Sequence, residues 1–446
     1  MDVEKENQAL AIVERLRTAG FKAFLAGGCV RDRVLGVTPK DYDIATDARP
    51  DAVQRLFDHT VAVGARFGVI MVVLGDHHFE VATFRADAGY RDGRHPDAVR
   101  FGTIEDDVQR RDFTIGGMYF DPSSGRVIDL VGGLRDLRAG VIRAIGDVGL
   151  RFAEDHLRML RAVRFAARLD FAIEPATWAA ICLSAPAITH IAAERVGEEV
   201  VMIMTEGGAA RGLELLAESG LAAVVMPEIL DLPGCDQPAN FHPEGNVWRH
   251  TRLMLSMLAR GCSETLAFGT LLHDIAKPRC FAREASGKMT YYGHTDIGAE
   301  MAVEMMRRMR RSRFVQERVA YLVRDHLRLC MAPRMRPATL KRMVAEEGFD
   351  ELLELALRDA LASSSYLGFY HLCRRELAAL GTVAERAPRL IGGDDLIAMG
   401  FVPGPAFKTI LREVDDLQLD GVLATREQAL DYVRDHHPAP AAAARN

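Results

Sequence analysis

Residues 24–46 read Phe-Leu-Ala-Gly-Gly-Cys-Val-Arg-Asp-Arg-Val-Leu-Gly-Val-Thr-Pro-Lys-Asp-Tyr-Asp-Ile-Ala-Thr. An apolar start runs into Gly27-Gly28, then Arg31-Asp32, then Asp41-Tyr42-Asp43. Side chains alternate along a strand, so Asp41 and Asp43 are expected on one face. Two carboxylates held together repel unless a cation lies between them. Mg²⁺ suits such a site, because it prefers hard oxygen ligands and a phosphate partner. Gly27 and Gly28 would let backbone N–H groups come close to a triphosphate. Arg31 adds a charge-assisted phosphate contact. A lone D-x-D is common on solvated turns; it is the combination that reads as nucleotidyl transfer.

Outward from this stretch, apolar spacing predicts a helix over residues 6–19, ended by Gly20. A strand over 22–26 delivers the glycine turn, and short helices follow over 30–35 and 50–57. Strands are expected over 61–63, 68–74 and 78–84, the last two joined by a turn at Gly75-Asp76. The domain is a small mixed α/β unit on one sheet. Glu80 is either a third carboxylate near the metals or an ordinary exposed strand residue. Residues 85–102 are rich in Gly, Arg and Asp without periodicity, which reads as a mobile loop beside the site. Arg110-Arg111-Asp112 then offers two guanidiniums for phosphate and an acid to orient one of them. Gly132-Gly133 is suited to a bend. Residues 151–169 read as one helix, with Asp155, Arg158 and Arg161 three apart along a drifting face.

Three motifs, G-G-x-V-R-D with D-Y-D, then R-R-D-F-T, then E-D-x-x-R-x-x-R, together resemble the class II tRNA nucleotidyltransferase/poly(A) polymerase family of the DNA polymerase β-like nucleotidyltransferases. The resemblance implies an α+β protein, its polymerase-β-like head a small mixed sheet with helices, followed by an all-helical neck and body. It implies two Mg²⁺ ions on Asp41 and Asp43. Gly27, Gly28, Arg31, Asp32, Arg110, Arg111 and Asp112 would bind the nucleotide, with Asp155, Arg158, Arg161 and Arg164 reading or positioning it. In the family, the Asp and Arg of the third motif meet the Watson–Crick edge of the incoming base. A carboxylate accepts from an exocyclic amine and Arg donates to a ring acceptor, a pattern that suits cytosine and adenine. The 85–102 segment resembles the flexible loop of enzymes that add the full CCA. The family continues Ile-Asn-Ala after D-F-T, whereas this chain has Ile115-Gly116-Gly117.

A second constellation begins at Trp248-Arg249-His250-Thr251. It continues through His273-Asp274, Gly293-His294 and Asp325-His326 to Arg358-Asp359. Neutral imidazoles with carboxylates suit Ni²⁺, Mn²⁺, Fe²⁺ or Zn²⁺, and such an ion can generate hydroxide at neutral pH. The series resembles the HD phosphohydrolase superfamily. That likeness places His250, His273, Asp274 and Asp359 in one metal site, with His294 and His326 completing a second or binding phosphate.

The expected layout is a head over 1–145, a helical neck over 146–232, an HD domain over 246–386, a C-terminal helical tRNA-contacting region over 387–437 and a disordered Pro/Ala-rich tail over 438–446. The stretch 232–246, with three prolines and two glycines, reads as a linker. Within 176–232 a continuous helix is expected over 194–204. Seven cysteines show no C-x-x-C spacing, so neither a disulfide framework nor a cysteine zinc site is expected. A polar, acidic N-terminal stretch argues against a signal peptide, and no run approaches the ~20 apolar residues of a membrane span. The expectation is a cytoplasmic protein. Net charge is −6, yet residues 307–342 carry twelve Lys/Arg against two acids, a candidate phosphate-tracking face.

The expected activity is CCA addition to the tRNA 3′ end from CTP and ATP. The rivals are a poly(A) polymerase, an enzyme adding only CC or only A, and, from another class, an HD phosphohydrolase with an RNA-binding head. Residues 63–70 resemble the tRNA-directed branch more than the basic segment of poly(A) polymerases.

Overall fold

A computed structural model describes residues 3–88, 98–240, 242–363, 366–379 and 388–437. Helix α1 (Val3–Thr18) buries Ala9, Ile12, Val13 and Leu16, the stripe that three-and-four spacing dictates. The opening stretch then folds as β1 (Ala23–Ala26), α2 (Gly28–Val34) and β2 (Asp43–Thr46), followed by α3 (Pro50–Leu56). Gly27 has φ +72°, which lets the chain turn sharply from β1 into α2. Strands β3 (Thr60–Gly64), β4 (Val69–Leu74) and β5 (His77–Thr83) come next, and the two-residue turn at Gly75-Asp76 joins the last pair.

The sheet is mixed and seven-stranded, in the order β3-β4-β5-β2-β1-β8-β9, with β8 (Met118–Asp121) and β9 (Arg126–Asp129) completing it. Only the β2–β5 pair is parallel, with Ile44 opposite Val81. Phe79 and Val81 are buried on one face of β5, so Glu80 between them points to the other face.

Three expectations change here. The D-x-D is not a strand motif, because β2 starts only at Asp43 and Asp41 precedes it, exposed and bonded to Lys5. Residues 85–102 are not all loop. Arg85–Ala88 (β6) and Ala98–Phe101 (β7) pair as an antiparallel ribbon, and the part between, 89–97, lies outside the described residues. The helix expected over 151–169 is broken in two.

After α4 (Ile104–Gln109) and α5 (Gly133–Ala139), that break falls between α6 (Val148–Glu154) and α7 (Leu157–Leu169). Asp155 sits between them in extended backbone, its Oδ1 accepting from Leu157 N at 3.1 Å. This local side-chain bond starts a new helix in place of continuing the old one. Asp155 therefore does not share a helix face with Arg158 and Arg161. Gly132 (φ +80°) is the N-cap of α5, and a Cβ on Gly133 would lie 2.3 Å from Thr114 O. The pair is thus a tightly packed helix start.

Beyond α7 come α8 (Pro175–Ser184), α9 (Ala193–Thr205), α10 (Ala209–Glu218) and α11 (Ala222–Val225), with α9 matching the helix expected over 194–204. Helix α7 packs on α9 and α10. The remaining helices are α12 (Val247–Ser256), α13 (Glu264–Leu272), α14 (Lys277–Cys280), α15 (His294–Arg308), α16 (Arg313–Asp325), α17 (Pro337–Val344), α18 (Phe349–Ala362), α19 (Gly368–Ala379), α20 (Gly393–Ala398), α21 (Pro405–Leu419) and α22 (Arg426–His436). The chain forms two compact units. One comprises 1–232, 255–267 and 304–312, and the other 233–254, 268–303 and 313–446. The C-terminal helices enclose their own small core of Leu396, Ile410, Val414 and Val433.

Several of the twelve cations of the basic stretch 307–342 are tied to glutamates from outside it. Arg308, Arg311, Arg318 and Arg328 are held by Glu228, Glu264, Glu347 and Glu346 at 2.6–2.9 Å. No helix among the described residues is long and apolar enough to cross a membrane.

Candidate active site

A cleft of ≈ 530 Å³ opens on the first unit where the ends of β1, β2 and β5 meet α7. Gly27, Gly28, Arg31, Asp43, Glu80, Arg110, Arg111, Asp112, Asp155, Arg158 and Arg161 all line it. Eleven residues separated by up to 134 positions thus share one cavity. Asp41, Asp32 and Arg164 do not line it.

Asp43 stands where β2 emerges, opposite Ala26 on β1. A Cβ placed on Gly27 would lie 3.1 Å from Arg111 Nη1 and 3.7 Å from Asp43 Oδ2. Glycine is what lets that guanidinium and that carboxylate close in on the backbone here. Partial desolvation in the cleft, and then the negative charge of Glu80, push the Asp43 carboxyl up to about 6. That mutual repulsion is what a divalent cation relieves, so the donor set fits Mg²⁺. Asp41, with its side chain 68% exposed, is held 2.8 Å from Lys5 Nζ.

The guanidiniums are braced from behind. Asp107 is buried on α4 and takes both arginines: Arg110 Nε donates to Oδ1 (2.9 Å), Arg111 Nε and Nη2 to Oδ2 (3.2 and 3.1 Å). Tyr119 OH also donates to it at 2.7 Å. Burial works against the Asp107 charge, but the two arginines and the hydrogen bonds outweigh it and hold the carboxyl below its usual range. Asp32 does the same for Arg31, accepting from Nε and Nη2 at 2.8 and 2.6 Å. Both are buried, and Asp32 therefore supports the cleft without lining it.

Asp112 accepts from Arg158 Nε (3.0 Å) and Arg161 Nε (2.5 Å). Burial would raise its carboxyl, but these two cations win and lower it to about 2. Arg158 also donates to Glu154, Arg151 O and Arg110 O, which fixes the plane of its guanidinium. Asp155 is steadied by Arg195 Nη2 at 3.0 Å. Arg164 is buried beside Glu199, 3.2 Å away, with its guanidinium 4.8 Å from the Phe165 ring.

The bracing carboxylates Asp107 and Glu199 and the cation Arg195 are not singled out by motif reading. Asp107 carries one legible signal, its three- and four-residue spacing to Arg110 and Arg111. Glu199 and Arg195 reach their partners only through helix packing.

The second constellation gathers in the second unit. His250, His273, Asp274 and His326 are at most 2% exposed, and His294 is 8% exposed. His250 Nε2 lies 3.2 Å from Asp359 Oδ1, and His273 Nε2 lies 3.2 Å from Asp274 Oδ2. His294 and His326 present Nε2 to Asp274 Oδ1 at 3.5 and 3.8 Å. Each ring is oriented through Nδ1, by Thr270 O, Tyr291 O and Val323 O for His273, His294 and His326. A carbonyl can only accept, so in the neutral rings Nδ1 carries the proton and Nε2 the lone pair. The Nε2 atoms of His250, His273 and His294 and Oδ1 of Asp274 are buried without a hydrogen-bond partner. Inward-facing lone pairs beside carboxylates are the donor set of a divalent transition metal. Lys277, missed by the motif reading, contacts Asp274 Oδ2 at 2.6 Å.

The pattern of the poly(A) polymerase head domain matches residues 23–143, that of a probable RNA- and SrmB-binding site of polymerase A matches 170–232, and that of the HD domain matches 246–360. The CCA-adding enzyme of Bacillus licheniformis is 42% identical over 230 residues, 51% of this chain and 56% of that enzyme. That of Geobacillus stearothermophilus is 43% identical over 217 residues, 48% and 54% of the two chains. The chain thus spans about half the length of the curated relatives it matches. The crystal structure of the Bacillus stearothermophilus CCA-adding enzyme with CTP superposes with a TM-score of 0.72 at 27% identity, over 96% of both chains. The Thermotoga maritima CCA-adding enzyme with tRNA shares the fold, with a TM-score of 0.58 at 20% identity. The chain thus carries the poly(A) polymerase head domain, the RNA-binding segment and the HD domain in this order, and the relatives that it resembles are CCA-adding enzymes.

Proposed function

We propose that this chain adds CCA to the 3′ end of tRNA, using CTP and ATP. The observation that carries the reading is the single cleft lined by Asp43, Glu80 and Arg111 together with Asp112, Asp155, Arg158 and Arg161. The first three have the chemistry for a metal and a triphosphate, and the other four for the edge of a base.

Asp43, with Asp41 released from Lys5, would hold Mg²⁺. When bound, Mg²⁺ would neutralise the triphosphate and favour attack by the tRNA 3′-hydroxyl on the α-phosphate. Arg111, clamped by Asp107, is preorganised to meet phosphate oxygens without losing side-chain entropy on binding. Gly27 and Gly28 keep the backbone low so that the phosphates come close. Arg110 and Arg31 line the same cleft, the latter fixed by Asp32. Asp155 would offer a carboxylate oxygen to an exocyclic amine, and Arg158 and Arg161, anchored by Asp112, would offer N–H groups to ring acceptors. Cytosine and adenine both present that amine-and-acceptor pair; uracil and guanine present another. Arg164 acts from behind by packing on Phe165. The proposed layout keeps the head over 1–145, the neck over 146–232, the HD domain over 246–386 and the tRNA-contacting helices over 387–437.

The test is tRNA ending at the discriminator base, offered CTP, ATP or both, with the products sequenced. Two added cytidines from CTP alone and CCA from both are expected. Long A tails from ATP would mark a poly(A) polymerase, and an arrest at CC or at A alone a partial enzyme.

A second reading concerns the HD centre. The unpartnered inward atoms of His250, His273, His294 and Asp274 favour a metal-dependent phosphohydrolase acting on RNA ends. His250, His273, Asp274 and Asp359 would hold one Ni²⁺, Mn²⁺, Fe²⁺ or Zn²⁺, with His294 and His326 at a second metal or at phosphate. The ion would supply a hydroxide nucleophile at neutral pH. Phosphate release from a 3′-phosphorylated RNA, or opening of a 2′,3′-cyclic phosphate to a monoester, lost on chelation, is the expected result.

A further inference from the structure

The HD pattern begins at residue 246, and the stretch before it reads in sequence as a linker. In the structure that stretch is part of the centre. Glu244 Oε1 accepts from His250 Nδ1 at 2.6 Å and from His242 Nδ1 at 2.9 Å. The His242 ring stands edge-on to His250, with centroids 4.9 Å apart. Glu244 Oε2 is buried without a partner. A few residues earlier, Gln237 Oε1 accepts from Lys277 Nζ at 2.6 Å, and the same ammonium contacts Asp274 Oδ2.

The four inward-facing histidines differ in what orients them. His273, His294 and His326 are each fixed by a backbone carbonyl three residues earlier in their own segment. His250 alone is fixed by a side chain, and that side chain carries charge.

We propose that Glu244 is a positioning residue of the HD centre: it fixes the proton of His250 on Nδ1 and so presents Nε2, beside Asp359, as a metal ligand. A carboxylate behind a ligating imidazole sets the tautomer, locks the ring and raises the basicity of the far nitrogen. His242 shares the Oε1 atom and narrows the orientations open to the carboxylate. The inference rests on the reading of His250, His273, Asp274 and Asp359 as metal ligands.

The test titrates Co²⁺ into the metal-free full chain in excess Mg²⁺, following the visible d–d absorption of histidine-ligated cobalt. Glu244→Ala should weaken Co²⁺ binding by about 10–100-fold. Glu244→Gln keeps an oxygen that accepts from His250 Nδ1, and should restore most of the affinity. In a His250→Ala background, Glu244→Ala should add no more than a twofold loss, since the residue it orients is gone. Thermal melts of the metal-free variants check that each is folded. Wild-type affinity in Glu244→Ala, or the same fold loss with and without His250, would overturn the assignment while leaving the metal reading intact. If the wild-type chain develops no histidine-type cobalt band, the metal reading itself fails and the assignment falls with it.

Discussion

Asp112 accepts from Arg158 Nε at 3.0 Å across forty-six residues of chain, joining the second motif to α7. The same carboxylate takes Arg161 on its other oxygen, so one acid aligns two guanidiniums that line the cleft. Asp112→Asn keeps the shape and removes the charge. Stability should fall by about 2–3 kcal/mol, less than for a fully buried pair because the side chain is 21% exposed. KM for CTP and for ATP should both rise about tenfold, which corresponds to ~1.4 kcal/mol of lost binding. Steady-state incorporation and denaturant melts would measure the two effects.

The pH dependence has a defined sign. The Asp112 carboxyl lies at about 2 in the folded chain against an ordinary 3.8, first opposed by burial and then carried down by Arg161 and Arg158. A depressed carboxyl stabilises the fold above its unfolded value and loses that contribution as pH falls through the folded one. The contribution is on the order of 2 kcal/mol, present above about pH 4 and lost towards pH 2. Wild type and Asp112→Asn should therefore converge in stability across that window, as urea melts at stepped pH would show.

Asp43 and Asp41 are expected to respond differently to change. Asp43→Asn should abolish incorporation, by a factor on the order of 10³ or more, since a preorganised charge is lost at the reacting end. Lys5→Ala should cost less than about 0.5 kcal/mol of stability, as an exposed ion pair does. It should also lower the Mg²⁺ needed for half-maximal incorporation, because Asp41 no longer has to leave an ammonium. A rise in that Mg²⁺ requirement would contradict the placing of Asp41 at the metal.

Gly116 and Gly117 stand where the family has Asn and Ala, and the structure separates them. A Cβ on Gly116 meets nothing within 4 Å, whereas one on Gly117 would lie 2.9 Å from Val131 Cγ2 and 3.0 Å from Ile145 Cδ1. Gly117→Ala should destabilise the chain by about 1–2 kcal/mol through overpacking. Gly116→Asn should be tolerated within about 0.5 kcal/mol. Differential scanning calorimetry of the two variants would test the contrast.

Most of the head was legible in the sequence. The strands around residues 24–46 and 68–84, the turn at Gly75-Asp76 and helix α1 follow from two- and three-to-four-residue periodicity, which is local. The broken helix at Asp155 was not legible, because the periodicity runs on through a residue whose side chain caps the next helix. The pairing of the basic run at 307–342 was not legible for a related reason. Glu228, Glu264, Glu346 and Glu347, which hold four of its arginines, lie outside the run, and a charge count sees only neighbours in sequence.

The sequence by itself determined which groups are available: Gly27-Gly28 before Asp43, paired arginines before Asp112, and histidines beside Asp274. Those are properties of residue type and spacing, and they define reaction chemistry. Only the tertiary structure decided which of them meet. It brought Glu80 beside Asp43, set Asp107 behind Arg110 and Arg111, tied Asp41 to Lys5 and turned a linker glutamate onto His250. Electrostatics and hydrogen bonds act over a few ångströms of space, and helix and sheet packing alone fixes which distant residues fall within that range.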